Sequence, residues 1–128
     1  MLCAGLVMVA VPALAQAPAS PAGGITRTIL GKSEVPGGTH EVVSARVEIA
    51  PGFKAGRHFH NGQVLVTVLE GEFWLALDGQ AEKTLSAGQS FEVPLNAVHN
   101  EGAVGTVPVR LFAVYIVEKG KPLTEMVK

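Results

Sequence analysis

Short stretches in which apolar and polar residues alternate follow one another along most of the chain. Because successive side chains of a strand point to opposite faces, a period of two is typical of strands with one buried face. The stretches span residues 41–50, 64–69, 72–77, 91–93 and 107–117. The residues that suggest this period are Val42, Val47 and Ile49 in the first stretch and Val64, Val66 and Val68 in the second.

Turn-forming residues separate these stretches at short intervals. Pairs such as Pro51-Gly52, Asn61-Gly62 and Asp78-Gly79 occupy the boundaries, and no long window has the 3.6-residue period of an amphipathic helix. Several short strands at this spacing predict an all-β sandwich or barrel of antiparallel strands. The charged tail, residues 119–128, is expected to dock weakly or fray.

The N-terminal segment predicts an export signal rather than part of the fold. Residues 2–15 are apolar throughout, too short for a membrane span of about 20 residues but typical of a signal peptide. Ala13-Leu14-Ala15 fits a cleavage site, although no Lys or Arg precedes the apolar run. We therefore expect a signal peptide over 1–15, a flexible linker over 16–24 and one domain over 25–128, in a secreted or periplasmic protein. The alternative is a buried N-terminal helix.

Charge and cysteine content exclude several classes of function. Ten Lys and Arg against eleven Asp and Glu leave a formal net charge of −1, so no basic excess is available for nucleic acid. The single cysteine, Cys3, lies in the predicted signal. The mature chain would then have neither disulfides nor a thiol nucleophile nor a thiolate metal ligand, and no membrane contact is expected after cleavage.

Histidine spacing is the first indication of chemistry. His58 and His60 are two residues apart, so on a strand both imidazoles would project from the same face, as two ligands of one metal ion require. Alone, such a pair is also explained by two hydrogen-bonded histidines without a metal. His40 lies in a polar turn and is expected at the surface.

Two longer stretches resemble the two conserved motifs of the cupin superfamily, at the level of a small single-domain cupin. The first is PGFKAGRHFHNGQVLVTVLEG, residues 51–71, which contains His58 and His60; the second is GQSFEVPLNAVHN, residues 88–100, in which His99 falls in register. This resemblance implies a double-stranded β-helix, the jelly-roll cupin barrel. It also implies that the three histidines hold a divalent metal ion inside the barrel.

The first motif departs from the family pattern at its glutamate. The expected position holds Val64, or Leu65 with the alternative spacing, so that strand offers no carboxylate. Gln63 is one residue short of this position, and a bulge at Asn61-Gly62 would be needed to turn its amide inward as a ligand. In the second motif Asn96 replaces a glycine, and asparagine tolerates the left-handed backbone of a turn.

The predicted metal site is therefore His58, His60 and His99, with or without Gln63. Iron, manganese, zinc, nickel and copper all accept imidazole ligands, so the residues do not select the ion. Without an obvious carboxylate base near the metal, proton transfer would fall to bound water, a free histidine or the substrate. Arg57 and Arg110 are candidates for a substrate carboxylate but are expected to face water.

These features lead to three hypotheses. The first is a metal-dependent enzyme of dioxygenase, lyase or isomerase type that acts on a small organic molecule. The second is a non-catalytic cupin module that binds a small ligand or a metal. The third is a barrel that has lost its metal. The resemblance further implies a homodimer, for which the apolar stretch 107–117 is the candidate interface.

Overall fold

The computed structural model describes residues 23–128, which form ten strands and no helix. The predicted signal peptide and residues 16–22 of the predicted linker lie outside the described residues. Within them, no helix is long and apolar enough to cross a membrane. The strands are β1 Ile25–Glu34, β2 His40–Ile49, β3 His58–Phe59, β4 Gly62–Glu70, β5 Glu72–Leu77, β6 Lys83–Ser86, β7 Ser90–Val93, β8 His99–Val104, β9 Val109–Glu118 and β10 Glu125–Met126.

The strands form two five-stranded antiparallel sheets. The first has the order β1-β2-β9-β4-β7 and the second the order β10-β3-β8-β5-β6. Chain neighbours such as β4 and β5 lie in different sheets, so the chain crosses repeatedly between them. This arrangement confirms the predicted all-β jelly-roll barrel.

A single apolar core contains buried side chains from both sheets. Val64, Phe73 and Leu75 are almost fully buried, and the alternation along β4 and β5 is the one that the sequence predicts. In β2 the inward phase begins at Val43 rather than at Val42, which is half-buried. Val42 cannot share a face with Val47 because their spacing is odd, and a strand has a period of two.

The edges of the sheets depart from the sequence expectations. Strand β1 has no buried residue and carries the exposed Ile29, so it lacks the alternation by which central strands are recognised. Of the two expectations for the C-terminal tail, the structure shows docking, because β10 pairs with β3 and Leu123 packs against the core. The tail therefore covers the edge of the strand that carries His58.

The turn before β8 confirms the expectation for Asn96. Its φ of 56° is the only positive value of a non-glycine residue in the described part of the chain. Asparagine adopts this left-handed conformation more readily than most residues. The turn continues through Ala97, whose amide donates to the Pro94 carbonyl at 3.0 Å, and delivers His99 to the start of β8.

Candidate metal centre

The fold brings the side chains of His58, His60 and His99 together on the buried face of the second sheet. His58 of β3 pairs directly with His99 of β8, and His60 follows two residues later on the same face. The ring centroids are 4.2 Å apart for His58 and His99, 5.2 Å for His58 and His60, and 5.0 Å for His60 and His99. One ring nitrogen from each residue lies within 4.8 Å of the other two, and all three side chains are buried.

Backbone carbonyl groups orient all three rings in the same way. The Nδ1 atoms of His58 and His60 lie 2.7 Å from the carbonyl oxygens of Gly56 and Leu123, and that of His99 lies 2.9 Å from that of Ala97. Since a carbonyl only accepts, each Nδ1 carries the proton and donates it. In its neutral form each ring therefore keeps an unprotonated Nε2, the nitrogen that binds metals when Nδ1 is held in this way.

Asn100 supports this orientation from the outer side of the site. Its side-chain oxygen accepts hydrogen bonds from the amides of Gly56, at 2.9 Å, and Glu101, at 2.8 Å. The first bond holds the loop whose carbonyl orients His58. Asn100 thus links the two chain segments that supply His58 and His99.

Burial keeps two of the rings neutral. Desolvation lowers the pKa of His60 to about 3, against the opposing effect of its hydrogen bond to Leu123. Desolvation likewise lowers the pKa of His99 to about 4, against its bond to Ala97. At neutral pH both rings are therefore unprotonated at Nε2 and available to a metal ion.

One buried atom shows that the cluster fits a metal. The Nε2 of His99 has no hydrogen-bond partner in the described part of the chain. A buried nitrogen acceptor left without a partner is unfavourable by roughly 1–3 kcal/mol. A divalent ion would supply the missing partner, and three imidazoles are a donor set that catalytic metal sites use.

Gln63 does not join the three histidines. Strand β4 pairs with β9 in regular register from Gly62 to Val68, so the bulge required near Asn61-Gly62 is not formed. The amide of Gln63 instead donates to a carboxylate oxygen of Glu92 at 2.6 Å on the outer face. The alternation of the strand turns Val64 inward and Gln63 outward.

Glu101 is the residue near the cluster that the sequence interpretation missed. Its carboxylate oxygens lie 3.8 Å from Nε2 of His58 and 3.8 Å from Nε2 of His99. Desolvation raises the pKa of this carboxyl, whereas the charges of His58 and Arg27 oppose the rise. The expectation that no carboxylate lies near the metal site is therefore wrong. The expectation considered only β4, whereas Glu101 lies on β8.

A small cavity of about 180 Å³ opens beside the cluster. Its lining comprises Ile25, Arg27, Ala55, His58, Glu101, Thr124 and Met126. Arg27 donates from Nε to the Tyr115 hydroxyl at 3.1 Å and from a terminal nitrogen to Thr124 Oγ1 at 2.9 Å. Its guanidinium also lies 5.2 Å from the centre of the Tyr115 ring. These contacts hold a positive charge at the wall of the cavity.

The other polar residues considered from the sequence lie away from this cavity. Arg57 forms an exposed ion pair with Asp78, and Arg110 pairs with Glu48 and Glu70. His40 is exposed, as predicted. Two larger depressions, of about 380 and 370 Å³, are lined by residues other than the histidines.

Comparison with known protein families identifies the fold and its motifs. A family model described as a cupin domain matches residues 45–115, more than half of the chain, and this range includes all three histidines of the cluster. The chain belongs to the cupin family. No protein of curated function has a sequence that matches this cupin significantly.

Solved structures share the fold of this cupin at low sequence identity. A cupin-like protein from Thermotoga maritima is 20% identical with a TM-score of 0.65, covering 84% of this chain and 82% of its own. The DMSP lyase DddQ from Ruegeria pomeroyi is 15% identical with a TM-score of 0.66, covering 81% and 52%. An oxalate oxidase in complex with the substrate analogue glycolate is 20% identical with a TM-score of 0.65, covering 84% and 57%. This chain thus spans about half the length of the two enzymes.

Proposed function

We propose that this cupin binds one divalent metal ion through His58, His60 and His99 and acts with it on a small organic molecule. The observation that carries the proposal is that three buried imidazoles lie close together and that each Nδ1 donates a hydrogen bond to a backbone carbonyl oxygen. Iron, manganese, zinc, nickel and copper all suit such a site. A bound ion would act there as a Lewis acid that polarises an oxygen of the ligand.

The cavity limits the size of the ligand. Its volume of about 180 Å³ is below the roughly 300–1,000 Å³ typical of pockets for drug-sized molecules. His58 and Glu101 border both this cavity and the histidine cluster. A molecule of a few non-hydrogen atoms would therefore contact the ion and the cavity wall together.

Arg27 indicates the charge of the ligand. The guanidinium has five N–H donors, of which the contacts with Tyr115 and Thr124 use two. The remaining donors and the positive charge favour an anion such as a small carboxylate. The oxalate oxidase of similar fold was solved with glycolate, which has this chemistry.

The reaction class we propose is that of a dioxygenase, lyase or isomerase. Structural relatives of this cupin include a DMSP lyase and an oxalate oxidase, and the three histidines are buried beside the cavity. The residues of the chain bind and orient the ligand: Arg27 by its charge, and the apolar wall around Ile25 and Met126 by contact.

The test combines metal analysis with turnover. Wild-type protein should contain one ion per chain, and His58→Ala combined with His99→Ala should contain almost none. Oxygen uptake and product formation are then measured with small carboxylates, keto acids, phenols and thiols. Stoichiometric metal in the double variant would reject the site, whereas metal binding without turnover would favour the non-catalytic module.

We also propose that the protein is exported and forms a homodimer. Export is supported by the apolar segment 2–15. It is tested by N-terminal sequencing of the protein purified from the periplasmic fraction, whose first residue should be Gln16.

Dimerisation is supported by apolar side chains exposed on the outer face of the first sheet, including Leu65 and Phe112. Light scattering after size-exclusion chromatography tests it.

A further inference from the structure

Glu101 lies on the inner face of β8 beside the histidine cluster. It is two residues from His99 on the same strand, and it pairs across the sheet with Leu75, which is almost fully buried. Residues two apart on one strand share a face, as do directly paired residues of neighbouring strands. The position of Glu101 therefore follows from the register of β8 and β5.

The carboxylate of Glu101 is left without a hydrogen-bond donor. Within residues 23–128 no hydrogen bond to its oxygens is formed, and its side chain is 12% exposed. Its nearest polar neighbours are Nε2 of His58 and Nε2 of His99, each at 3.8 Å, and these are the atoms that carry no proton in the neutral rings. A mostly buried carboxylate facing two lone pairs is unfavourable, and a cation between them would stabilise all three groups.

We propose that Glu101 is a fourth protein ligand of the divalent ion. This inference rests on the proposed function. The family motif places its carboxylate on β4, at the position that Val64 occupies here; in this chain the carboxylate comes from β8, in the opposite sheet. Two donor atoms each about 2.1 Å from one ion are at most about 4.2 Å apart, and the 3.8 Å distances from the two Glu101 oxygens to His58 and to His99 satisfy this limit. The group of ligand atoms that all lie within 4.8 Å of one another comprises the three histidines without Glu101, so the carboxylate would move towards the ion on binding.

The relocated carboxylate changes the charge at the site. One carboxylate and three neutral imidazoles give a site with a divalent ion a net charge of +1, and the attraction between the carboxylate and the cation strengthens metal binding. Glu101 also lines the cavity together with Arg27. A small anion in the cavity would lie next to the Glu101 carboxylate, His58 and the positive charge of Arg27.

The test compares Glu101→Gln with Glu92→Gln, a matched change of an exposed glutamate whose carboxylate accepts a hydrogen bond from Gln63 on the outer face. Zinc affinity is measured by chelator competition, and the visible spectrum of the cobalt(II) form is recorded at the same pH. Since changes to groups that only support a ligand weaken affinity about 10–100-fold, loss of a direct ligand should weaken it at least as much. The cobalt spectrum should change in Glu101→Gln, whereas Glu92→Gln should match the wild type in both measurements.

The outcomes separate this inference from the proposed function. Equal zinc affinity and an unchanged cobalt spectrum in Glu101→Gln would overturn the role of Glu101, even if His58→Ala and His99→Ala abolish binding. Absence of metal binding by the wild type would overturn both proposals. If circular dichroism shows that Glu101→Gln does not fold, Glu101→Asp replaces it. That variant keeps the charge and moves the carboxylate by one methylene, so wild-type affinity and spectrum in it would also reject the inference.

Discussion

His58 and His99 lie directly opposite each other in the pairing of β3 with β8, and their ring centroids are 4.2 Å apart. Each ring donates from Nδ1 to the carbonyl of the residue two positions before it, Gly56 and Ala97 respectively. The same local arrangement thus occurs on two neighbouring strands. The backbone pairing of β3 with β8 places the two rings side by side.

Metal should stabilise the wild-type protein through these rings. A ligand that binds only the folded state at one hundred times its Kd adds about 2.7 kcal/mol to the free energy of unfolding. Zinc should therefore raise the melting temperature of the wild type and of His40→Ala, whose ring is exposed. His58→Ala should show almost no shift in differential scanning calorimetry. A melting temperature of the wild type that is independent of metal would support a barrel without a metal site.

The metal-free protein should lose stability as the pH falls below neutrality. The unfolded chain binds protons at His60 and His99 near pH 6.5, whereas burial lowers the folded-state pKa values to about 3 and about 4. The free energy of unfolding is therefore at its full value above pH 6.5. It falls as the pH is lowered towards 4, by about 1.4 kcal/mol per pH unit for each ring. Urea unfolding of chelator-treated protein measures this slope.

Substitution of a single histidine tests whether the buried rings cause the dependence of the free energy of unfolding on pH. His99→Gln should reduce the dependence on pH between 6 and 4.5 by the contribution of one ring. An identical slope in wild type and His99→Gln would contradict the burial argument.

Gln63→Ala should leave metal affinity unchanged. The Gln63 amide donates to Glu92 on the outer face and does not approach the histidines. An exposed hydrogen bond of this kind contributes on the order of 1 kcal/mol or less to stability. Zinc competition measures the affinity, with His60→Ala as the positive control. A tenfold loss of affinity in Gln63→Ala would show that the amide reaches the ion.

Arg27→Gln should weaken binding of small carboxylates to the zinc-loaded protein. Hydrogen bonds to charged groups contribute roughly 1.5–3 kcal/mol, so a loss of about tenfold or more in affinity is expected. Calorimetric titration with glycolate provides the measurement, and Arg57→Gln, which removes an exposed arginine paired with Asp78, serves as the control. Equal glycolate affinity in both variants would remove Arg27 from the ligand site.

A charge on the outer face of the first sheet should dissociate the proposed homodimer. Leu65 and Phe112 border one apolar depression and are 44% and 39% exposed. Phe112→Glu should yield a monomer in light scattering, because burying an unpaired charge in an interface is strongly unfavourable. Leu95→Lys, an equally drastic change at an exposed loop residue, should remain a dimer. A monomeric wild type would contradict the proposal outright.

Motif spacing and strand period extend over only a few residues. They therefore predict local features, such as the face of a strand to which a side chain points and the conformation of a turn. The H-x-H pair projects to one face because a strand has a period of two, and Asn96 adopts the turn conformation expected of it. The same period applied to His99 and Glu101 would have predicted a second inward pair. The family motif has its glutamate on β4, so the motif does not indicate this pair.

The sequence by itself determined the all-β class, the cupin motifs and the three histidines, because alternation, turn residues and motif spacing are encoded over a few residues. Only the tertiary structure decided which groups complete the site. Arg27 on the edge strand β1 meets Tyr115 of β9, and Leu123 of the tail orients His60. Glu101 of β8 brings a carboxylate to the histidines, whereas the family motif has its glutamate on β4. Contacts between distant segments depend on sheet order and register, which one-dimensional patterns do not specify.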